Sequence, residues 1–93
     1  MRTIDRSSEF KRDYKRQSQG QHRATLNDAF MPVLAALVAD QPLDARYRDH
    51  NLSGDWAGYR ECHVKPDLLL IYRKLGSDTL RLARLGSHSE LFG

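Results

Sequence analysis

The most hydrophobic stretch of the chain, Leu68–Lys74, constrains the fold more than any other segment. It begins with the apolar run LLLIY, and turn-forming residues bound it at 65–67 (Lys-Pro-Asp) and at 75–78 (Leu-Gly-Ser-Asp). A short apolar run between two turns is typical of a central β-strand. Gly58–Val64 and Thr79–Leu85 then become its neighbours, so we predict an antiparallel meander.

The N-terminal residues predict a short strand followed by a first helix. Residues 3–4 (Thr-Ile) are enough for the strand. Ser7 or Ser8 then supplies an N-cap, because its hydroxyl can accept a hydrogen bond from a free backbone N–H of the first turn. Phe10 and Tyr14, four positions apart, place a buried stripe on this helix.

A second helix is predicted because apolar residues recur at spacings of three and four. They are Leu26, Ala29, Phe30, Val33, Leu34, Leu37 and Val38. Pro32 interrupts the pattern. With Asn27 or Asp28 as N-cap, Pro32 falls at the end of the first turn, where few hydrogen bonds are lost, whereas an earlier start predicts a kink. The two helices form a hairpin with one apolar side.

Together these elements predict a single α+β domain over residues 1–93. The N-terminal strand and the helical hairpin pack on a twisted antiparallel sheet of about four strands. Ser87 and Glu90 fit a capping box for a short C-terminal helix. The hairpin covers one face of the sheet. We expect the other face, beneath a loop at residues 43–57, to stay open, to carry polar residues and to hold the functional site.

Composition is typical of a small intracellular protein. The chain has one cysteine, Cys62, so no intrachain disulfide can form and a reducing compartment, the cytoplasm, is expected. No apolar run approaches the ~18 residues of a membrane span, so we predict no membrane association. The net charge is +3, and basic residues are concentrated at 2–23 and 73–84. This bias favours a polyanionic partner without requiring one.

Three histidines and one aspartate carry the candidate chemistry: His50, His63, Asp67 and His88. In an antiparallel meander the end of the first strand, the start of the second and the end of the third share one edge of the sheet. That edge would carry His63, Asp67 and His88 together. The loop that contains His50 can fold over it.

These residue types suit cleavage of RNA without a metal ion. The reaction needs a base for the 2′-hydroxyl, an acid for the leaving 5′-oxygen and cations for the charged phosphorane. Histidine can fill any of these roles, and a carboxylate can act as base or orient a histidine. Arg84 or Arg81 could stabilise negative charge, and Trp56 and Phe92 could stack bases.

Simpler interpretations stand beside this one. Trp56 is more commonly a core residue than a stacking platform, and Cys62 is expected to be a buried apolar residue. Arg60 and Glu61 are interpreted as solvated or paired structural charges. A zinc site could draw on His50, Cys62, His63, Asp67 and His88. However, neighbouring Cys62 and His63 point to opposite faces of a strand, so we predict no metal site and no cofactor.

Two polar motifs dominate the C-terminal half. Residues 49–72 read DHNLSGDWAGYRECHVKPDLLLIY, and residues 81–93 read RLARLGSHSELFG. Together they closely resemble the YafQ branch of the RelE/ParE toxin superfamily. Residues 1–48 match by helix pattern and length rather than by identity. The chain departs from some relatives at Leu68, where they carry an aromatic residue, so a substrate contact at this position and the codon preference are left open.

The resemblance implies a toxin of a bacterial type II toxin–antitoxin pair that cleaves messenger RNA in the A site of the translating ribosome, without a metal ion. The implied fold is microbial-RNase-like, with a helical hairpin on a twisted antiparallel sheet. The implied partners are the ribosome, mRNA and a cognate DinJ/RelB-like antitoxin of ribbon-helix-helix type, in a higher-order complex. The alternative is a ParE-like toxin that inhibits DNA gyrase, although a pure binding protein has no reason to gather histidines and an aspartate.

By matching position, the family's catalytic set corresponds to His50, His63, Asp67 and His88, and Phe92 corresponds to an aromatic residue near the substrate. We assign roles as a hypothesis. His88 is the general acid, Asp67 or His50 is the general base, and His63 orients groups or stabilises charge. Arg84 holds the phosphate.

Overall fold

The computed structural model describes all 93 residues and contains three α-helices and one five-stranded sheet. In chain order the elements are β1 (Thr3–Arg6), α1 (Ser8–Gln19), α2 (Leu26–Val38), β2 (His50–Asn51), β3 (Arg60–Lys65), β4 (Leu68–Leu75), β5 (Thr79–Gly86) and α3 (His88–Phe92). Two 3-10 turns, Ala45–Tyr47 and Gly54–Trp56, lie in the segment predicted as loop. None of the helices has the length and apolar character of a membrane span.

The sheet has the strand order β1-β5-β4-β3-β2. β1 runs parallel to β5, and all other neighbouring pairs are antiparallel. The α+β prediction is therefore confirmed, but the sheet is mixed rather than antiparallel, because β1 is parallel to β5, and it has five strands rather than about four. The additional strand, β2, has two residues, which is too short to produce a periodic sequence pattern.

The first helix begins where its capping residue predicts. Ser7 is the N-cap, and its hydroxyl oxygen accepts a hydrogen bond from the backbone N–H of Phe10 at 2.9 Å. The same hydroxyl donates to the carbonyl oxygen of Ala83 in β5 at 2.6 Å. Ser7 therefore starts α1 and also attaches it to the sheet.

The second helix takes the earlier of the two starts that the sequence left open. It begins at Leu26 with Thr25 at the N-cap, so Asn27 and Asp28 are not its caps. Thr25 makes no side-chain capping bond, and the preceding turn joins the helix through the carbonyl of His22, which accepts from the N–H of Leu26 at 2.8 Å. Pro32 consequently lies inside α2, where its missing N–H removes one helical hydrogen bond.

Both faces of the sheet are covered, but unequally. The larger core lies between the sheet and the helical hairpin and includes Phe10, Phe30, Val33, Cys62 and Tyr72. A smaller cluster on the opposite face consists of Leu69, Ile71, Ala83 and Leu91, with Leu52, Trp56 and Tyr59 at its margin. The expectation of an open, polar second face is therefore wrong, because α3 and the segment 52–59 cover its centre. Its polar residues lie around this cluster, with His63 beside Leu69 and the pair Arg73 and Arg81 at the opposite end.

Candidate active site

Three titratable side chains meet where β2 pairs with β3. His50 is the register partner of Glu61, and His63 lies two residues further along β3, so all three belong to the same face of the sheet. The Nε2 atoms of His50 and His63 lie 3.5 Å and 3.6 Å from the same carboxylate oxygen, Oε1 of Glu61. We refer to these three residues as the His–Glu–His cluster.

The carboxylate of this cluster is withdrawn from solvent while its imidazoles face outward. The side chain of Glu61 is 7% exposed, against 51% for His50 and 21% for His63. A buried carboxylate is costly unless a cation compensates its charge. Glu61 thus forms the buried centre of the cluster, and the two imidazoles are the groups that a ligand can reach.

A backbone contact fixes the orientation of His50. Its Nδ1 lies 2.7 Å from the carbonyl oxygen of Arg48. A carbonyl oxygen only accepts hydrogen bonds, so Nδ1 donates this one and Nε2 is the ring nitrogen that faces Glu61. Arg48 makes this contact from the left-handed backbone region, at φ 51° and ψ 43°.

A partly buried hydrogen-bond network anchors the chain next to His50. Asp49 Oδ2 accepts a hydrogen bond from Nη2 of Arg60 at 2.9 Å, and the hydroxyl of Tyr72 donates to Asp49 Oδ1. Burial and the bond to Asp49 both raise the pKa of the Tyr72 hydroxyl, so it remains a donor at neutral pH. The network ties the entrance of β2 to β3 and β4, and so positions His50 against Glu61.

The segment with His88 ends at the same side of the sheet as His63. His63 pairs with Leu69, and Leu69 pairs with Gly86, so the backbones at positions 63 and 86 are about 10 Å apart, two strand spacings. His88 follows at the first position of α3, after the N-cap Ser87. The ring centroid of His88 lies 5.1 Å from that of Phe92, and both side chains are exposed.

Asp67 lies apart from the His–Glu–His cluster. It is exposed in the turn between β3 and β4, and it lines a polar cavity of about 440 Å³ together with Ser87 and Glu90. His63 lines a different cavity. The structure thus places Asp67 beside the start of α3 and does not bring it into contact with His50 or Glu61.

Both arginines that were predicted to hold phosphate form ion pairs within the protein. Nε and Nη2 of Arg84 donate to the two carboxylate oxygens of Asp13 at 2.7 Å and 3.3 Å. Nε of Arg81 donates to Asp5 at 2.9 Å. These acidic partners lie in α1 and β1, far away in sequence, so local sequence patterns could not reveal the pairs. Arg84 is held rigidly against α1 and is only partly exposed.

The aromatic residue Trp56 has a packing role. Its ring contacts Tyr59 edge-to-face, with centroids 5.3 Å apart, at the margin of the smaller apolar cluster. The guanidinium carbon of Arg73 lies 5.6 Å from the centroid of the Tyr59 ring. Trp56 is half-buried, which agrees with the interpretation of this residue as part of the core more than as an open stacking platform.

Two sequence interpretations on β3 and β4 are settled by burial. Cys62 is fully buried on the helix side, and burial raises its thiol pKa to about 12, as expected for a structural cysteine. Leu68, the position of the missing aromatic residue, is also fully buried in the larger core. Neither side chain can contact a substrate. No group of three or more His, Cys, Asp or Glu side chains is placed to hold a metal ion.

Glu61 is the residue that sequence analysis missed. It was interpreted as a solvated or paired structural charge, whereas its carboxylate is buried between two imidazoles. The alternation of β3 already placed Glu61 and His63 on one face, which was the available signal. The pairing with His50 depends on β2, whose two residues gave no pattern.

Comparison with known proteins identifies the class of this fold and site. Residues 2–93 match the family described as bacterial toxin of type II toxin-antitoxin system, YafQ. The mRNA interferase toxin YafQ of Escherichia coli (strain K12) is 40% identical over 92 residues, which cover 99% of this chain and 97% of the relative.

Solved structures agree with this match. A copper-bound mutant toxin from Helicobacter pylori has a TM-score of 0.88 at 37% identity, with 99% of this chain and 100% of that chain covered. In the E. coli DinJ-YafQ complex, the matching chain has a TM-score of 0.85 at 38% identity, with 100% of both chains covered. The fold and the family match therefore define a toxin of a type II toxin–antitoxin system. The chain belongs to the YafQ family. The predicted resemblance and the predicted toxin class are confirmed.

Proposed function

We propose that this toxin is an mRNA interferase, an endoribonuclease that cleaves mRNA in the A site of the translating ribosome. The observation that carries the proposal is the convergence of two imidazole Nε2 atoms on the buried carboxylate of Glu61, at the sheet edge that leads to His88. The E. coli relatives are named mRNA interferase toxins. The ribosome is in the cytoplasm, where we expect the protein to act.

The proposed reaction is an attack by the 2′-oxygen on the neighbouring phosphorus. A base removes the 2′-hydroxyl proton, the bond from phosphorus to the 5′-oxygen breaks, and an acid protonates that oxygen. The products are a 2′,3′-cyclic phosphate and a 5′-hydroxyl. We assign the acid to His88, which is exposed and free of ion pairs with carboxylates.

The structure favours His50 over Asp67 as the base. His50 is half-exposed and has its Nε2 beside Glu61, so the carboxylate stabilises the imidazolium that forms when the proton is taken up. His63 shares the same carboxylate and adds positive charge near the phosphate. Asp67 is the alternative base. Phe92, exposed beside His88, is proposed to contact a base of the RNA.

Arg84 and Arg81 keep a supporting role in this proposal. The bond to Asp13 immobilises the Arg84 guanidinium and raises its pKa, so any contribution to phosphate binding comes from a fixed positive charge. The ion pair with Asp5 likewise holds the Arg81 guanidinium in place at the surface. Trp56 is proposed to border the RNA site rather than to stack deeply with a base.

The proposed protein partner is a cognate antitoxin. A DinJ-YafQ complex is known for the E. coli relative. We infer that this toxin binds a DinJ-like antitoxin of ribbon-helix-helix type in a higher-order complex. Because the toxin has a net charge of +3, the segment of the antitoxin that covers it is expected to be acidic.

A gyrase-binding toxin of the same superfamily is the alternative that sequence analysis left open. Family membership favours the nuclease. Burying the Glu61 carboxylate between two histidines costs free energy of folding, and a surface that only binds a partner gains nothing from it. No observation on this structure specifically favours gyrase.

The proposed function predicts ribosome-dependent cleavage that does not need a metal ion. A translated reporter message is incubated with the toxin, with and without ribosomes and EDTA, and cleavage is mapped by primer extension. We expect cuts within codons only when ribosomes are present, and no loss of activity when EDTA is added at a concentration that leaves ribosomes intact.

A metal requirement would appear as activity that EDTA removes and added copper or zinc restores. That result would contradict the proposed chemistry. An intact message in every reaction, from a protein that is still toxic to cells, would contradict the nuclease and favour a binding target such as gyrase.

A further inference from the structure

A cationic groove lies next to the His–Glu–His cluster, between α2 and the 3-10 turn Ala45–Tyr47. Its volume is about 540 Å³. Three basic side chains line it, those of Arg46, Arg48 and Lys65, and the single acidic side chain in its lining is Asp28. His63 lines the same groove, so the groove is continuous with the proposed active site.

None of these three cations is neutralised by the protein. Arg46, Arg48 and Lys65 form no ion pair, and Lys65 donates only to the neutral hydroxyl of Thr25. Arg60, Arg81 and Arg84, in contrast, each have a carboxylate partner. The guanidinium carbon of Arg46 lies 4.8 Å from the centroid of the Tyr47 ring, and its Nη2 donates to the Tyr47 hydroxyl at 2.8 Å. Uncompensated cations in a concave surface create a site of positive potential for an anionic ligand.

The backbone of Arg48 links the groove to His50. Arg48 occupies the left-handed region, which residues other than glycine rarely adopt, and its side chain is exposed. Its carbonyl oxygen holds Nδ1 of His50 at 2.7 Å. Arg48 thus orients a histidine of the cluster with its backbone and supplies a cation to the groove with its side chain.

We propose that this groove binds the phosphodiester backbone of the RNA strand on one side of the cleaved bond, an inference that rests on the proposed ribonuclease function. A strand that brings its phosphate to His63 must continue beyond it, and the groove offers the adjoining path. Its cations match the phosphates. The guanidinium and ring of Arg46 and Tyr47 form a flat surface on which a base can stack.

The test measures binding of RNA that cannot be cleaved. Fluorescence anisotropy is recorded with a short single-stranded RNA carrying 2′-O-methyl groups, over a series of salt concentrations, for the wild type and the double variant Arg46→Gln/Arg48→Gly. Glycine at position 48 removes the cation and is compatible with the left-handed backbone. The control is Lys11→Gln/Arg12→Gln, which removes two exposed cations from α1 that form no ion pairs.

We expect the groove variant to bind at least tenfold more weakly at low salt. Its plot of log affinity against log salt concentration should become shallower by about 1.4, since each lost phosphate contact contributes about 0.7 for single strands. The control should retain a slope close to that of the wild type. Equal losses in both variants would show general surface attraction and overturn the groove assignment.

Other outcomes separate this inference from the proposed function. If the wild type cleaves ribosome-bound mRNA but the groove variant binds RNA as the wild type does, the groove assignment fails and the nuclease stands. If the groove variant binds the antitoxin more weakly but binds RNA as the wild type does, the groove is a site for an acidic protein segment. That result would also overturn the assignment of the groove to RNA. Absence of wild-type RNA binding overturns it whatever the cleavage assay shows.

Discussion

Replacing His88 with alanine is expected to reduce ribosome-dependent cleavage by about 10²- to 10⁴-fold, the range that a positioned general acid contributes. The 5′-oxygen is a poor leaving group unless it is protonated as its bond to phosphorus breaks, and His88 is the residue assigned to supply that proton. The measurement is the rate of message cleavage on ribosomes saturated with toxin, so that a change in ribosome affinity does not alter the result.

The fold should not change in this variant. His88 is exposed at the first position of α3, where the N-cap Ser87 and not the imidazole provides the capping hydrogen bonds. Thermal unfolding of His88→Ala should match that of the control Ser89→Ala, which truncates the next exposed side chain of the same helix. Unimpaired cleavage by a folded His88→Ala protein would contradict the assignment.

The second large effect is expected on stability, from Asp13→Asn. Asp13 is 2% exposed, and its carboxylate accepts hydrogen bonds from Arg84 and from the backbone N–H of Leu85 at 3.0 Å. The variant keeps the shape of the side chain and removes the charge that compensates Arg84. Because the Arg84 side chain is 26% exposed, the cost is expected to be about 1–3 kcal/mol, the range for a buried group that loses a charged hydrogen-bond partner. The free energy of unfolding is measured by urea denaturation.

The exposed pair of Asp5 and Arg81 supplies the control. Both side chains are at least 40% exposed, so Asp5→Asn should cost less than about 1 kcal/mol. Comparable losses in Asp5→Asn and Asp13→Asn would show that burial does not decide the effect. They would contradict the view that Asp13 attaches α1 to β5.

The stability of the fold is expected to depend on pH through the carboxyl group of Asp13. Burial alone raises the pKa of Asp13, but hydrogen bonds from Arg84 and Leu85 outweigh burial and hold the pKa below its ordinary value of 3.8. A lowered pKa in the folded state contributes stability above the ordinary value, and this contribution is lost as the pH falls through the folded value. The stability difference between wild type and Asp13→Asn should therefore be largest above about pH 4 and should narrow at lower pH.

Local patterns in the sequence were sufficient for most of the fold. The turns on either side of Leu68–Lys74 predicted the meander, and the observed strand β4 differs by one residue at its end. Ser87 and Glu90 form the predicted capping box at α3. Such features depend on neighbouring residues and on hydrogen bonds within a few positions, so they can be read before the chain is folded.

The parts that could not be predicted depend on contacts between distant segments. β2 exists because His50 and Asn51 pair with Glu61 and Arg60. Two residues are too few to form a periodic sequence pattern that would predict such pairing. The burial of Glu61 follows from that strand. The neutralisation of Arg84 follows from Asp13, which lies 71 residues earlier in the chain.

The candidate site was predicted from three histidines and Asp67, and the structure groups these residues differently. The predicted set of His50, His63, Asp67 and His88 becomes a His–Glu–His cluster with His88 at the neighbouring strand end and Asp67 in a separate cavity. The buried carboxylate of Glu61 holds the Nε2 atoms of both histidines within 3.6 Å of one oxygen atom. This feature connects the fold to acid–base chemistry.

The chemistry of the cleaved ends tests the central claim most directly. Message cut on ribosomes by the wild-type toxin is isolated, and the ends of both fragments are determined by labelling with polynucleotide kinase and by mass spectrometry. Attack by the 2′-oxygen predicts a 5′-hydroxyl on the downstream fragment and a 2′,3′-cyclic phosphate, or the 3′-phosphate formed from it, on the upstream one. A 5′-phosphate paired with a 3′-hydroxyl would show attack by water and would contradict the account.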